Sequence, residues 1–331
     1  MCGGRSLRLW PLSEYKSKNF LDIFGFSPLE LTVKRFLKIT PKENIFLVAS
    51  HQEKKSLQKV KLIKKENIFY EPDSKNTAAA IIYSLQFLKK HSKKVLIISP
   101  VDHLIKKEKE FYKALKKALA VSKQGCICTL GIKPLEPTPN FGYIQTKNAK
   151  PKGVFAVKRF IEKPKLSFAK KLIAKGNCFY NSGMFISTVG TLLQEYKTHY
   201  HSYKSFVKGF DSRKIASLYK RIIDIPFDKA IMEKSKRVKL VKARFSWKDF
   251  GSWNTIYEVL SKDKNSNVGK GKISISGGSN NFIYLDNPKR RVLAIGLNDI
   301  FMIEAKDYTL LTNRASLDNL KAALKEFKRI K

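Results

Sequence analysis

Long apolar runs are absent from this sequence. Stretches such as NIFLVAS (44–50) and KVLIISP (94–100) have strand length and fall far short of the roughly 20 residues a membrane helix needs. No apolar signal region follows Met1, so neither export nor membrane insertion is expected. Cysteine is scarce: Cys2, Cys126, Cys128 and Cys178 show no zinc or disulfide spacing, which fits packing roles in a reducing cytoplasm. Acidic residues are few, 27 against 66 Lys and Arg, for a formal charge of +39. Such an excess raises affinity for any polyanion. The lysines are nevertheless scattered through nearly every segment, with no helix-turn-helix, finger or RNA-binding aromatic signature, so no specific nucleic-acid partner is expected. Internal repeats and low-complexity segments are missing too.

What is present describes a folded chain. Hydrophobic residues make up 43% and aromatics 11% of 331 residues, enough for about two domains. Helical spacing at Leu29, Val33, Phe36 and Leu37, the strand NIFLVAS, the helix NTAAAIIYSLQFLKKHSKK (76–94), the strand VLIISP (95–100), a helix carrying Phe111, Leu115 and Leu119, and the strand CICTLGI (126–132) alternate along the first half. Alternation of this kind predicts βαβ units and a mostly parallel sheet. FGYIQTK and VFAVKRFIEKP then read as antiparallel strands. From about Asn265 short strands with Gly-Gly, Ser-Asn and Asn-Pro punctuation lead to a final helix. The expected division is therefore 1–262 and 263–331.

Several residues suit charged ligands. Gly3, Gly4, Arg8 and Lys18 in the opening MCGGRSLRLWPLSEYKSK match a polyphosphate site, or else a basic arm with a turn. Asp102 follows a buried strand, and Asp249 lies in WKDFGSW. Two carboxylates of this kind suit one Mg2+ completed by phosphate oxygens and water, although each alone also suits a turn or cap. Glu162-Lys163-Pro164 ends a strand and Asn181-Ser182-Gly183-Met184 opens the next. Glu and Asn suit sugar hydroxyls and Lys a sugar phosphate; plain turns are the alternative for both.

Taken in order, RLWPLS, EPDSKNTAAAI, SPVDH, FGYIQ, FIEKP, YNSGMF, FDKAIME and WKDFGSW resemble the nucleotide-sugar pyrophosphorylases, in particular their mannose-1-phosphate guanylyltransferase branch. The resemblance runs over nearly the whole chain. It implies an α/β, Rossmann-like nucleotidyltransferase domain with a mixed, mostly parallel sheet and a small C-terminal β domain, left-handed β-helix-like. It implies GMP transfer from GTP to mannose-1-phosphate. Arg8 and Lys18 would hold the triphosphate with Gly3 and Gly4, Asn76 and Thr77 would lie near the guanine, and Asp102 and Asp249 would hold Mg2+. Gly142, Glu162 and Asn181 would hold the mannose, and Lys163 its phosphate.

The opening loop departs from the family pattern Gly-Gly-x-Gly-Thr-Arg-Leu-Trp-Pro-Leu-Ser. Ser6 stands for Gly, Leu7 for Thr and Ser17 for a Pro, while the arginine after the serine is missing. Only Met1 and Cys2 precede the loop here, where the family has an apolar strand. A side chain at a positive-φ glycine position costs on the order of 1 kcal/mol, so a weakened phosphate loop is expected. Transfer to another sugar-1-phosphate, and sugar-nucleotide binding without catalysis, both stay open. So does self-association into a homo-oligomer.

Overall fold

The apolar runs of the first half become strands, and packing assigns them to one of two units. A computed structural model describes residues 1–2, 6–23, 25, 27–147, 153–208, 210 and 214–327. The first unit comprises Met1–Cys2, Thr40–Pro100 and Ile105–Trp247; the second comprises Gly3–Ile39, Val101–Leu104 and Lys248–Lys331. The border at 262/263 expected from chain order is thus not where packing divides the chain. The opening loop and the Asp249 segment pack with the C-terminal strands.

In the first unit β1 (Leu47–Ser50) pairs in parallel with β2 (Ile68–Glu71). Cys2 makes a parallel bridge to Ala49, and the Met1 amino group donates to the Ser99 carbonyl at 2.9 Å. The main sheet contains β3 (Val95–Ile98), β4 (Ile127–Ile132), β5 (Tyr143–Thr146), β6 (Val154–Ile161), β7 (Cys178–Thr188) and β8 (Val238–Ala243). Their order is β3-β7-β4-β8-β6-β5, with β5 also pairing β7. Only β4 and β8 run in parallel; the other pairings of this sheet are antiparallel. The expectation of a mostly parallel sheet is therefore corrected to a mixed, mainly antiparallel one. Alternating strands and helices predict parallel neighbours only if successive strands pair, and here the long β7 lies between β3 and β4.

The helix Glu108–Ser122 buries Phe111, Leu115 and Ala118 on one stripe and packs on β4 and β8. That 3.6-residue spacing is why the segment is helical and why its lysines face water. Fully burying one such Phe or Leu contributes roughly 1.5–3 kcal/mol.

Glu71, at the end of β2, is buried, and the Tyr219 hydroxyl donates to its carboxylate. Burial pushes the Glu71 carboxyl up to about 7. An unfolded glutamate releases its proton near about 4.3. The native state therefore gains stability from this group at low pH and loses it as pH rises through about 7. Glu71→Gln is expected to melt higher relative to the wild type at pH 8 than at pH 5. Equal differences in paired melts at the two pH values would refute it.

In the second unit the helix Pro28–Leu37 begins at Ser27, whose hydroxyl accepts the Glu30 N–H at 3.2 Å. Its Thr32 hydroxyl donates to the Val101 carbonyl at 2.8 Å, and Arg35 Nη2 donates to the His103 carbonyl at 3.3 Å. Asp102 sits between those two anchored carbonyls. Strands Val268–Lys270, Phe282–Leu285 and Ile300–Ala305 stack in parallel register, as do Lys272–Ser276 and Arg291–Ile295. Phe282, Phe301, Trp253 and Tyr257 form the core against them, and the Trp253 indole donates to the Trp10 carbonyl at 2.9 Å. Burying that indole N–H without a partner would cost free energy. The bond instead ties the opening loop to the segment after Asp249.

Candidate active site

Of the charged residues in the second unit, Arg8, Lys18, Asp102 and Asp249 act on one another. Lys18 Nζ pairs with Asp102 Oδ2, both side chains mostly buried. The Phe250 N–H donates to the Asp102 carbonyl oxygen at 2.6 Å, bringing the chain at Asp249 beside Asp102. Burial favours a raised Asp102 carboxyl, but Lys18, followed by His103, outweighs it and holds the group below its ordinary value. Asp249 behaves oppositely. Burial raises it and the Asp102 charge adds to that, while Arg8 and Lys18 only partly offset them. His103 is pushed down to about 4, chiefly by burial, and so is neutral at pH 7. Gly251 packs against this group: a Cβ added there would lie 2.5 Å from Asp249 Oδ2 and 3.3 Å from Arg8 Nη2.

Ser6 belongs to the same group. Its backbone is extended, with φ −101°, so the strain expected for a non-glycine residue is not present. Its hydroxyl donates to the Gly251 carbonyl at 3.0 Å. Gly3 and Gly4 lie outside the described residues. Arg8 is exposed and follows the short turn begun by Leu7, with Leu9 and Trp10 buried behind it.

In the first unit the expected sugar residues converge. The Asn181 N–H donates to the Gly142 carbonyl at 2.8 Å. A Cβ on Gly142 would lie 2.6 Å from Glu162 Oε2 and 3.5 Å from the Asn181 Cβ. Lys163 Nζ lies 3.6 Å from Glu162 Oε1, and Lys163 has φ 44°, left-handed backbone that a non-glycine residue adopts at a cost. Burial raises the Glu162 carboxyl, against the opposing pull of Lys163. Asn181 does not open its strand as the sequence suggested; it lies inside β7. The pairing jumps from Thr129↔Phe185 to Gly131↔Asn181, a bulge at Ser182–Met184 where Gly183 takes φ 67°. Bulges re-aim side chains, and glycine supplies the positive φ.

Asn76 and Thr77 start the helix Thr77–Leu88. The backbone N–H and side-chain amide of Asn76 both donate to Asp224 Oδ1 at 2.7 Å, and the Thr77 hydroxyl accepts the Phe227 N–H at 2.8 Å. Both side chains brace the helix start against 224–227. Sequence reasoning assigned no role to Asp228, Gly251 or a bonded Ser6. Asp228 and Gly251 lie within the quoted FDKAIME and WKDFGSW stretches, which was the available signal.

The residues present fit Mg2+. Asp102 raises Asp249 by like charge, a repulsion a divalent cation would neutralise, and Mg2+ is held by one or two carboxylates with phosphates and waters. Among the described residues no group of three or more His, Cys, Asp or Glu side chains offers an all-protein metal cage. Among them also, no helix is long and apolar enough to cross a membrane.

Comparison with known proteins shows the family. The family described as nucleotidyl transferase matches residues 1–266. A putative mannose-1-phosphate guanylyltransferase of Vibrio cholerae is 31% identical over 99% of this chain and 73% of its own length. A mannose-1-phosphate guanylyltransferase of Salmonella montevideo is 30% identical, with 99% and 73% covered. A solved structure from Thermus thermophilus, titled a mannose-1-phosphate geranyltransferase, superposes with a TM-score of 0.87 at 26% identity, covering 99% of this chain and 98% of that one. The chain belongs to the nucleotidyl transferase family, and within it to the mannose-1-phosphate guanylyltransferases.

Proposed function

We propose that the protein transfers GMP from GTP to mannose-1-phosphate, releasing pyrophosphate and forming GDP-mannose. The observation that carries this reading is the grouping of Asp102 and Asp249 with Arg8 and Lys18, four charges suited to a nucleoside triphosphate and its cation. The names of the relatives supply the substrates.

In this reading a phosphate oxygen of mannose-1-phosphate attacks the α-phosphorus of GTP in line. The new O–P bond forms as the bond from the α-phosphorus to the bridging oxygen breaks, and that oxygen leaves with pyrophosphate. No protein nucleophile is required, so positioning and charge neutralisation supply the catalysis. Arg8 and Lys18 hold the triphosphate, and Lys18 also keeps Asp102 ionised. Asp102 and Asp249 would hold Mg2+, which when bound neutralises phosphate charge. Glu162 and Asn181 hold the mannose beside Gly142, where the missing side chain leaves room, and Lys163 meets its phosphate. Asn76 and Thr77 act at the nucleotide end by bracing the helix start. Parallel stacking of the C-terminal strands supports a β-helix-like reading of that part, left-handed by the resemblance.

Purified protein given GTP, mannose-1-phosphate and Mg2+ is expected to release pyrophosphate and GDP-mannose. Other nucleoside triphosphates and glucose-1-phosphate are expected to be poorer substrates in the same assay. Equal or faster turnover with a different pair would replace the substrate assignment, and no turnover with any pair would reject the reading.

A further inference from the structure

Asp228 lies in the turn Asp228–Met232 and stands outside every role assigned above. Its Oδ1 accepts a hydrogen bond from Asn181 Nδ2 at 2.8 Å. The other end of that amide is also committed: Asn181 Oδ1 accepts from the Thr129 hydroxyl at 3.2 Å and from the Gly183 N–H at 3.1 Å. A side-chain amide has two acceptor lone pairs and two N–H donors. Among the described residues both lone pairs and one donor of Asn181 are used, which leaves one N–H for a ligand. Glu162, beside Gly142, is an acceptor when ionised. A sugar hydroxyl both donates and accepts, and this pair offers it one partner of each kind.

We propose that Asp228 is a positioning residue for the sugar end of the reaction, holding Asn181 so that its remaining N–H points to a hydroxyl that Glu162 accepts. This inference rests on the proposed guanylyltransferase reading. It adds to it a residue that acts through another rather than by touching substrate. The charges acting on Asp228 are Glu162 and Lys163, just past β6, while Lys229 and Glu233, beside Asp228 in the chain, act on Glu162. Burial first, and then the Glu162 charge, push the Asp228 carboxyl up to about 7. Above that pH a second negative charge stands beside Glu162, and an anionic sugar phosphate binds less well.

The test compares wild type, Asp228→Leu and Asp228→Asn in steady-state pyrophosphate release, varying mannose-1-phosphate and GTP separately. Leucine removes the acceptor at similar volume. Asparagine keeps an acceptor for Asn181 and turns an N–H toward Glu162. Loss of one positioning hydrogen bond corresponds to about tenfold in affinity. Asp228→Leu is therefore expected to raise the KM for mannose-1-phosphate about tenfold and leave that for GTP within about twofold. The wild-type KM for mannose-1-phosphate is expected to rise above pH 7, and Asp228→Asn to keep the wild-type KM at pH 6.5 and lose that rise. This pH profile decides the matter should the leucine variant fail to fold. An unshifted sugar-phosphate KM in Asp228→Leu, equal rises for both substrates, or an asparagine variant with the wild-type pH profile overturns the inference alone. A wild-type protein that makes no GDP-mannose overturns the guanylyltransferase reading and this inference with it.

Discussion

Asp249→Asn is expected to lower the rate of pyrophosphate release by about a thousandfold while the melting temperature stays equal to or above that of the wild type. The two parts have one origin. Burial and the neighbouring Asp102 charge raise the Asp249 carboxyl, so its ionised form is disfavoured in the folded protein and a neutral amide removes that cost. The same charge is what a cation-bound triphosphate requires. Asp102→Asn is expected to lose as much activity with the opposite effect on stability, because Lys18 holds Asp102 ionised and would be left without its carboxylate partner. Paired melts and kinetics on the two variants check the contrast. Retention of activity in either one would defeat the metal assignment.

Gly251→Ala is expected to cut turnover about a hundredfold, since displacing a catalytic group by roughly 1 Å costs that order. The added methyl would come 2.5 Å from Asp249 Oδ2, well inside contact distance. The short aspartate side chain must swing away, and Arg8 Nη2 at 3.3 Å limits where it goes. Gly251 makes no use of a positive φ, so the requirement is for space and not for backbone freedom. Turnover within a few-fold of wild type, with the melt unchanged, would show that Asp249 relaxes without consequence.

How much of the site was legible depended on the kind of feature. Asp102, Asp249, Glu162 and Asn181 stood out as candidates because each sits in a short motif whose residue types suit a ligand's chemistry. Ser6 was readable only as a departure from a glycine pattern, and that reading misled. The expected strain presupposed a positive φ, whereas the backbone is extended and the hydroxyl is bonded to Gly251. Asp228 carried no signal beyond its place in FDKAIME, because its partner Asn181 is 47 residues away. Asn76 and Thr77 were legible as a helix start, but their bonds to 224–227 depend on a loop that no spacing rule connects to them.

By itself the sequence determined the family and most strand and helix segments, and it marked the residues whose chemistry suits phosphate, cation and sugar. These follow from side-chain chemistry and from periodicities that extend over a few residues. Only the tertiary structure decided which strands are neighbours, that the opening loop packs with the chain after Lys248, and that Asp102 and Asp249, 147 positions apart in sequence, influence each other's charge. Strand pairing and carboxylate repulsion are set by distances in space, and local patterns carry no record of which distant segment comes close.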